Sequence, residues 1–415
     1  MKILKFVSYK KILQTIILIF PLIVIFKSAA INTALLGVSI ISLLIIINNK
    51  DYSFFKNYFV ILLLFFLGFV FINSLINFKN IETVIKSFGN FRFIFLTFAI
   101  IFTLSNISKK NYLLFVFLNC ALIIFINLDI LYQYIFNKNI FGFSPGMCEE
   151  NFTECKRFSG MFGEELIAGG YISQIGLLFF FLAIGEVLKK SSFKESIALL
   201  FLFFIFITIL LTGERNSLLV FIISLIIFCI LYKKIIFLLS SIVILGTIFF
   251  IVAQNIDSIR MRYLDALNSS TLKSETSIFK RVINTPWSYH YQTAFEMIKD
   301  KPLLGHGYKN FRVKCKETNF DKKMVEQFVK YKNYRGCSTH PHNYMLEIFS
   351  ENGIIGFILY LAILIFIFYD VLTSRKYSKS KSQLLAIGIG SLLLSILFPF
   401  KPSGSFLTTF NASIF

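Results

Sequence analysis

The chain alternates long apolar runs with short polar breaks from one end to the other, and no period of two appears within the runs. Runs near 11–27, 29–47, 58–78, 87–104, 112–135, 166–186, 196–212, 217–232, 235–253, 344–369 and 384–400 are candidates to cross a membrane. A hydrocarbon core of roughly 30 Å needs about 20 residues at about 1.5 Å of rise each. A short twelfth run, 404–415, is either truncated or only half-crossing. A backbone in lipid has to satisfy its own hydrogen bonds, so the pattern predicts helices. Barrel strands would alternate over segments of about ten residues, which excludes that architecture. The predicted fold class is an all-α polytopic membrane protein of about 12 transmembrane helices. Its expected organisation is a bundle of about nine spans over 1–253, a large and mainly helical loop over 254–343, and C-terminal helices over 344–415. A smaller loop occupies 137–165.

Composition agrees with this reading. Of 415 residues, 56% are hydrophobic, 53 are Phe, and the mean hydropathy is +0.74, which excludes a soluble fold. The net charge of +20 has a membrane explanation and implies no nucleic-acid partner. Lys50 and Lys56, Lys109 and Lys110, Lys189, Lys190 and Lys194, Lys233 and Lys234, and the Arg375–Lys381 cluster all fall on one side when the spans are counted alternately. The positive-inside rule makes that side the cytoplasm and puts the N-terminus there. Lys2, Lys5, Lys10 and Lys11 before an apolar stretch resemble a signal peptide, but no small-residue cleavage site follows Phe20-Pro21, so this segment is read as a retained first helix. Segments 137–165 and 254–343 then face outward. The second carries 16 Lys and Arg against 8 Asp and Glu, which a long translocated segment tolerates. Cys148 and Cys155 fall in the first outward loop and Cys315 and Cys337 in the second, which suggests disulfides 148–155 and 315–337. A zinc site is the rival reading, and the sequence lacks the paired C-x-x-C spacing for it.

Charge type then points to chemistry. Eight of the nine Arg residues, including Arg157, Arg215 and Arg281, map to the outward side, whereas the cytoplasmic loops use Lys almost exclusively. Retention needs only positive charge, but Arg offers a planar fork that holds phosphate oxygens bidentately. Taken singly, each such Arg is better read as solvated or at a headgroup. Arg215 is the exception, because the turn Thr212-Gly213-Glu214-Arg215-Asn216 lies between apolar runs of about fifteen residues. Such runs rise only about 22 Å, which sinks the turn below the membrane surface, where a charge faces a cavity or a partner. Glu214 is a candidate partner, either for function or as a structural ion pair. The outward loop ends in His340-Pro341-His342-Asn343, running directly into a span. A His there can take a proton near neutral pH. The H-x-H pair also suggests a metal, against which Pro341 and the lack of a third nearby ligand argue. Glu149, Glu150, Glu154, Glu164 and Glu165 form either a solvated acidic loop or a divalent-cation site, the former being the simpler reading.

These residues also stand in a known order. His342-Asn343, nine residues, then Gly353-Ile354-Ile355-Gly356 resembles the H-N-x9-G-x-x-G signature of the O-antigen ligase and O-antigen polymerase superfamily. Arg157-Phe158-Ser159-Gly160-Met161-Phe162 resembles that family's segment before its middle helices. Thr212-Gly213-Glu214-Arg215 resembles its T-G-S-R-type turn. Arg281, Trp287 and Pro302-Leu303-Leu304-Gly305-His306-Gly307-Tyr308 resemble its loop opening and P-L-x-G-x-G turn. The resemblance spans roughly residues 150–400 and is specific as an ordered set. It departs at Glu214, where the family usually has Ser.

The resemblance implies a GT-C-like bundle in the bacterial inner membrane with its active site on the periplasmic face. It implies that Arg215 and Arg281 hold the diphosphate of an undecaprenyl-diphosphate-linked glycan and that His342 is the general base, with Arg157, Glu214, Asn343 and His340 in support. The Glu214 departure either weakens anion binding or tunes Arg215. No cofactor and no metal are expected. Beyond the lipid bilayer and the donor, the implied partner is an acceptor, either a lipid A-core sugar or a growing glycan. One dominant loop before the His-bearing helix favours ligase over polymerase, with a protein-glycosylating oligosaccharyltransferase as a further alternative. A lipid or glycan transporter would also use a dozen spans, but the internal repeats typical of transporters are not seen in this sequence.

Overall fold

The computed structural model describes residues 2–147, 155–186, 194–264, 286–317, 337–377 and 381–414. Arg281 and Cys148 lie outside the described residues, as do Glu149, Glu150 and Glu154. The chain is an all-α membrane protein. Among the described residues, six helices are long and apolar enough to cross a membrane, and four shorter apolar helices, Ala168–Ile184, Ser196–Thr212, Arg215–Leu231 and Leu384–Ile396, accompany them.

The compact units cut across the linear division expected from the sequence. One unit contains Met1–Ser108, Val282–Ile367 and Pro399–Phe415, and the other contains Lys109–Arg281 and Phe368–Phe398. The first begins with α1 (Lys2–Ile25), α2 (Lys27–Asn49), α3 (Tyr58–Ile76), α4 (Ile81–Gly89) and α5 (Arg92–Asn106). The expected run at 87–104 falls within one apolar stretch, Ile81–Asn106, in which α4 and α5 meet at Asn90 and Phe91 with the backbone still in the right-handed helical region. Asn57 and Asn80 cap α3 and α4 by accepting the amides of Phe59 and Thr83. Helix α2 packs on α1 and α5 through fully buried Ile31, Leu35 and Val38.

The second unit holds α6 (Lys109–Phe136), a two-residue antiparallel ribbon β1 (Gly146–Met147) and β2 (Lys156–Arg157), the single turn α7 (Ala168–Tyr171), α8 (Leu177–Glu186), α9 (Lys194–Thr212), α10 (Arg215–Leu231) and α11 (Ile235–Asn255). A π turn over Ile172–Gly176 joins α7 to α8. The chain returns to the first unit with α12 (Pro286–Asp300) and α13 (Phe311–Glu317). Helix α14 (Tyr344–Tyr377) begins in the first unit and ends in the second, followed there by α15 (Lys381–Ile396). The last run yields only a six-residue helix, α16 (Thr409–Ile414), of about 9 Å. That is too short to cross, and α16 packs on α2 and α5 in the first unit.

Candidate active site

In the first unit, α14 is broken at Gly353, whose φ of 61° and ψ of −168° are open to glycine and strained for other residues. The turn Pro302–Gly307 enters this break. The Ile354 amide donates to the Pro302 carbonyl at 2.8 Å, the His306 amide to Ser350 at 3.1 Å, and the Gly307 amide to Glu351 at 2.7 Å. A side chain at Gly353 would strike the Leu303 carbonyl, and a Cβ at Gly305 would come within 2.5 Å of the Glu351 backbone. The glycines of the two motifs are thus required by each other, since two backbones meet there.

This packing holds the start of α14 in place. The Asn343 side chain accepts the Leu346 amide at 3.1 Å and donates to the Pro399 carbonyl at 2.6 Å, so it caps the helix and ties it to the 399–403 turn. The Ser403 amide donates to the His342 carbonyl at 2.8 Å. Glu347 accepts the Ser405 hydroxyl at 2.5 Å and the Phe406 amide at 2.9 Å, while Glu351 accepts the Lys309 and Phe311 amides at 2.7 and 3.1 Å. Between these anchors His342 sits at φ 55°, the left-handed region that a non-glycine residue enters at a cost of about 1–3 kcal/mol.

Three imidazoles gather at this point. The His342 ring lies 4.1 Å from that of His340 and 5.2 Å from that of His290 on α12. Ser338 Oγ is 3.1 Å from His342 Nε2, and Thr339 Oγ1 is 2.9 Å from His340 Nδ1. Burial, then the neighbouring His340 and His290, push the His342 pKa down to about 3. Burial likewise pushes His340 down to about 4. Both rings are neutral at neutral pH and keep a nitrogen lone pair, the form a general base needs. Cys315 on α13 is disulfide-bonded to Cys337, and Ala294, Met297, Phe311 and Cys315 form a small core against which Cys337 and Leu346 pack. His290, Ser338 and Ser403 were not foreseen from the sequence. No motif marks them, and only the fold brings them to His342.

The second unit gathers arginines around one turn. Gly213 has φ 67°, and its carbonyl accepts from Arg262 Nε at 2.9 Å, while the Thr212 carbonyl accepts from Arg157 Nε at 3.0 Å. Arg215 Nε donates to the Arg262 carbonyl at 3.0 Å. Each guanidinium is held through Nε, and the Nη nitrogens of Arg157 and Arg262 have no hydrogen-bond partner among the described residues. A cluster of forks held by their base in this way suits a multiply charged oxyanion. The flanking helices α9 and α10 run to 19 and 17 residues, longer than the two runs of about fifteen read from the sequence. Glu214 accepts the Gly169 and Gly170 amides at 2.7 and 2.9 Å and the Ser217 hydroxyl at 3.0 Å. The Glu214 carboxylate is thus directed at the start of α7. In the same unit Asp129 accepts the Ile140 amide at 2.9 Å and Gln133 the Gly160 amide at 2.8 Å, which anchors the loop that delivers Arg157. Cys155 is disulfide-bonded.

The described residues contain no group of three or more His, Cys, Asp or Glu arranged to hold a metal ion. No curated protein matches the chain. The O-antigen ligase family model matches residues 200–361, a stretch that includes both the Gly213–Arg215 turn and the His342–Gly353 segment. Over that stretch the chain is similar to O-antigen ligases, and the resemblance to the O-antigen ligase and polymerase superfamily is borne out.

Proposed function

We propose that the chain is an O-antigen ligase-type glycosyltransferase. It moves a glycan from undecaprenyl diphosphate to a hydroxyl of a lipid A-core sugar at the periplasmic face of the inner membrane. The observation that carries this reading is His342: a neutral imidazole held in a left-handed backbone conformation at the mouth of a capped helix, inside the segment that matches the ligase family.

In the reaction the acceptor hydroxyl gives its proton to His342 as its oxygen bonds to the anomeric carbon. The bond from that carbon to the diphosphate oxygen breaks with its electron pair, and undecaprenyl diphosphate leaves. Arg215 and Arg281 hold the charge that develops on the leaving group. Arg157 and Arg262, whose Nη nitrogens have no partner among the described residues, extend the same clamp.

His342→Ala is expected to lower transfer by about 10²–10⁴, the usual contribution of a general base. The check is the surface lipopolysaccharide together with the carrier-linked glycan pool. Uncapped cores with long polymer accumulating on the carrier support the ligase reading. Cores capped by a single repeat would assign polymerase instead, and an unchanged profile would sink the enzymatic reading.

A further inference from the structure

Ser338 immediately follows Cys337, and its hydroxyl lies 3.1 Å from His342 Nε2. Three features fix it there. The bridge from Cys337 to Cys315 ties it to α13. Helix α13 is itself held to α14, because Glu351 accepts the Phe311 amide. Cys337 also packs on the core that α12 shares with Cys315. In the tautomer that carries its lone pair on Nε2, the neutral ring accepts the serine hydroxyl there.

We propose that Ser338, held by the Cys315–Cys337 bridge, is the positioning residue that keeps the His342 Nε2 lone pair aimed at the place where the acceptor hydroxyl arrives. This rests on His342 being the base. The serine hydroxyl occupies the hydrogen-bonding site on Nε2 and gives it up to the incoming sugar hydroxyl, which then loses its proton to the same nitrogen. A base whose direction is set through a disulfide also acquires a redox dependence, since a reduced Cys337 no longer ties Ser338 to α13. The titratable groups facing His342 are His340 on its own loop and His290 on α12.

The test uses the full chain in cells of its native host deleted for their own copy, with surface glycan quantified. Ser338→Ala is expected to lower transfer about tenfold, close to the value of one hydrogen bond. Ser338→Thr keeps the hydroxyl and should return to within about threefold of the starting level. The Cys315→Ser, Cys337→Ser pair should match the Ser338→Ala loss, with no further tenfold loss when the three substitutions are combined. In the purified chain labelled with nitrogen-15 histidine, the His342 Nε2 resonance should move in Ser338→Ala. A purely structural serine would leave that resonance in place. Loss of transfer in His342→Ala with unchanged transfer in Ser338→Ala would overturn the positioning role alone. Unchanged transfer in His342→Ala would overturn the base and the positioning role together. A further tenfold loss in the triple substitution would overturn the link between bridge and serine.

Discussion

His342, the proposed base, joins backbone strain and the proposed chemistry at a single backbone angle. At φ 55° its side chain is carried at a conformational cost that glycine would not meet. His342→Gly is therefore expected to raise the melting temperature relative to His342→Ala while leaving transfer equally low. The shifts of His342 and His340, down to about 3 and about 4, have a direction that can be read in a pH series. The unfolded chain takes up these protons near pH 6.5, whereas the folded chain resists until pH 3–4. Their contribution to stability is thus complete above about pH 6.5 and is lost as the pH falls towards 4. A His342→Gln chain should show a smaller drop in melting temperature between pH 6.5 and 4. At this scale the sequence showed His342 and Arg215 because each interrupts or borders an apolar run. Ser338 and His290 were not legible, because an isolated serine or histidine carries no pattern until the chain folds it against a partner.

Helix positions followed from the apolar runs, and helix breaks did not. The run 344–369 reads as one span, yet α14 is interrupted at Gly353 because the 302–307 turn donates its backbone amides into the gap. Hydropathy carries no information on that, since glycine in a membrane helix is common. The family motifs H-N-x9-G-x-x-G and P-L-x-G-x-G marked both sides of the contact without indicating that they touch. Gly353→Ala should cost about 2 kcal/mol or more, combining a positive φ with a clash against the Leu303 carbonyl. The fall in thermal midpoint of the detergent-solubilised chain checks this. Substituting Ala at Gly37, where nothing lies within 4 Å, should leave that midpoint in place or raise it.

At the scale of the whole chain, the linear order of spans is a poor guide to what packs with what. Residues 282–367 and 399–415 join the first 108 residues, and 368–398 join the middle helices. Single-sequence patterns report which segments are apolar and say nothing of pairing between distant ones. The proposed orientation is checked with single cysteines and a membrane-impermeant maleimide on intact cells. Lys138→Cys and Lys301→Cys should label from outside, and Lys110→Cys and Lys233→Cys only after the membrane is opened. Reversal of the two sets would sink the orientation. On this topology the Cys315–Cys337 bridge acquires a role in time. Both thiols leave the ribosome on the reducing side, and the bond forms only after the loop has been delivered to the oxidising one. Newly inserted chains would therefore stay silent until oxidation, so that the proposed transferase would mature only in the compartment where its proposed substrates are displayed.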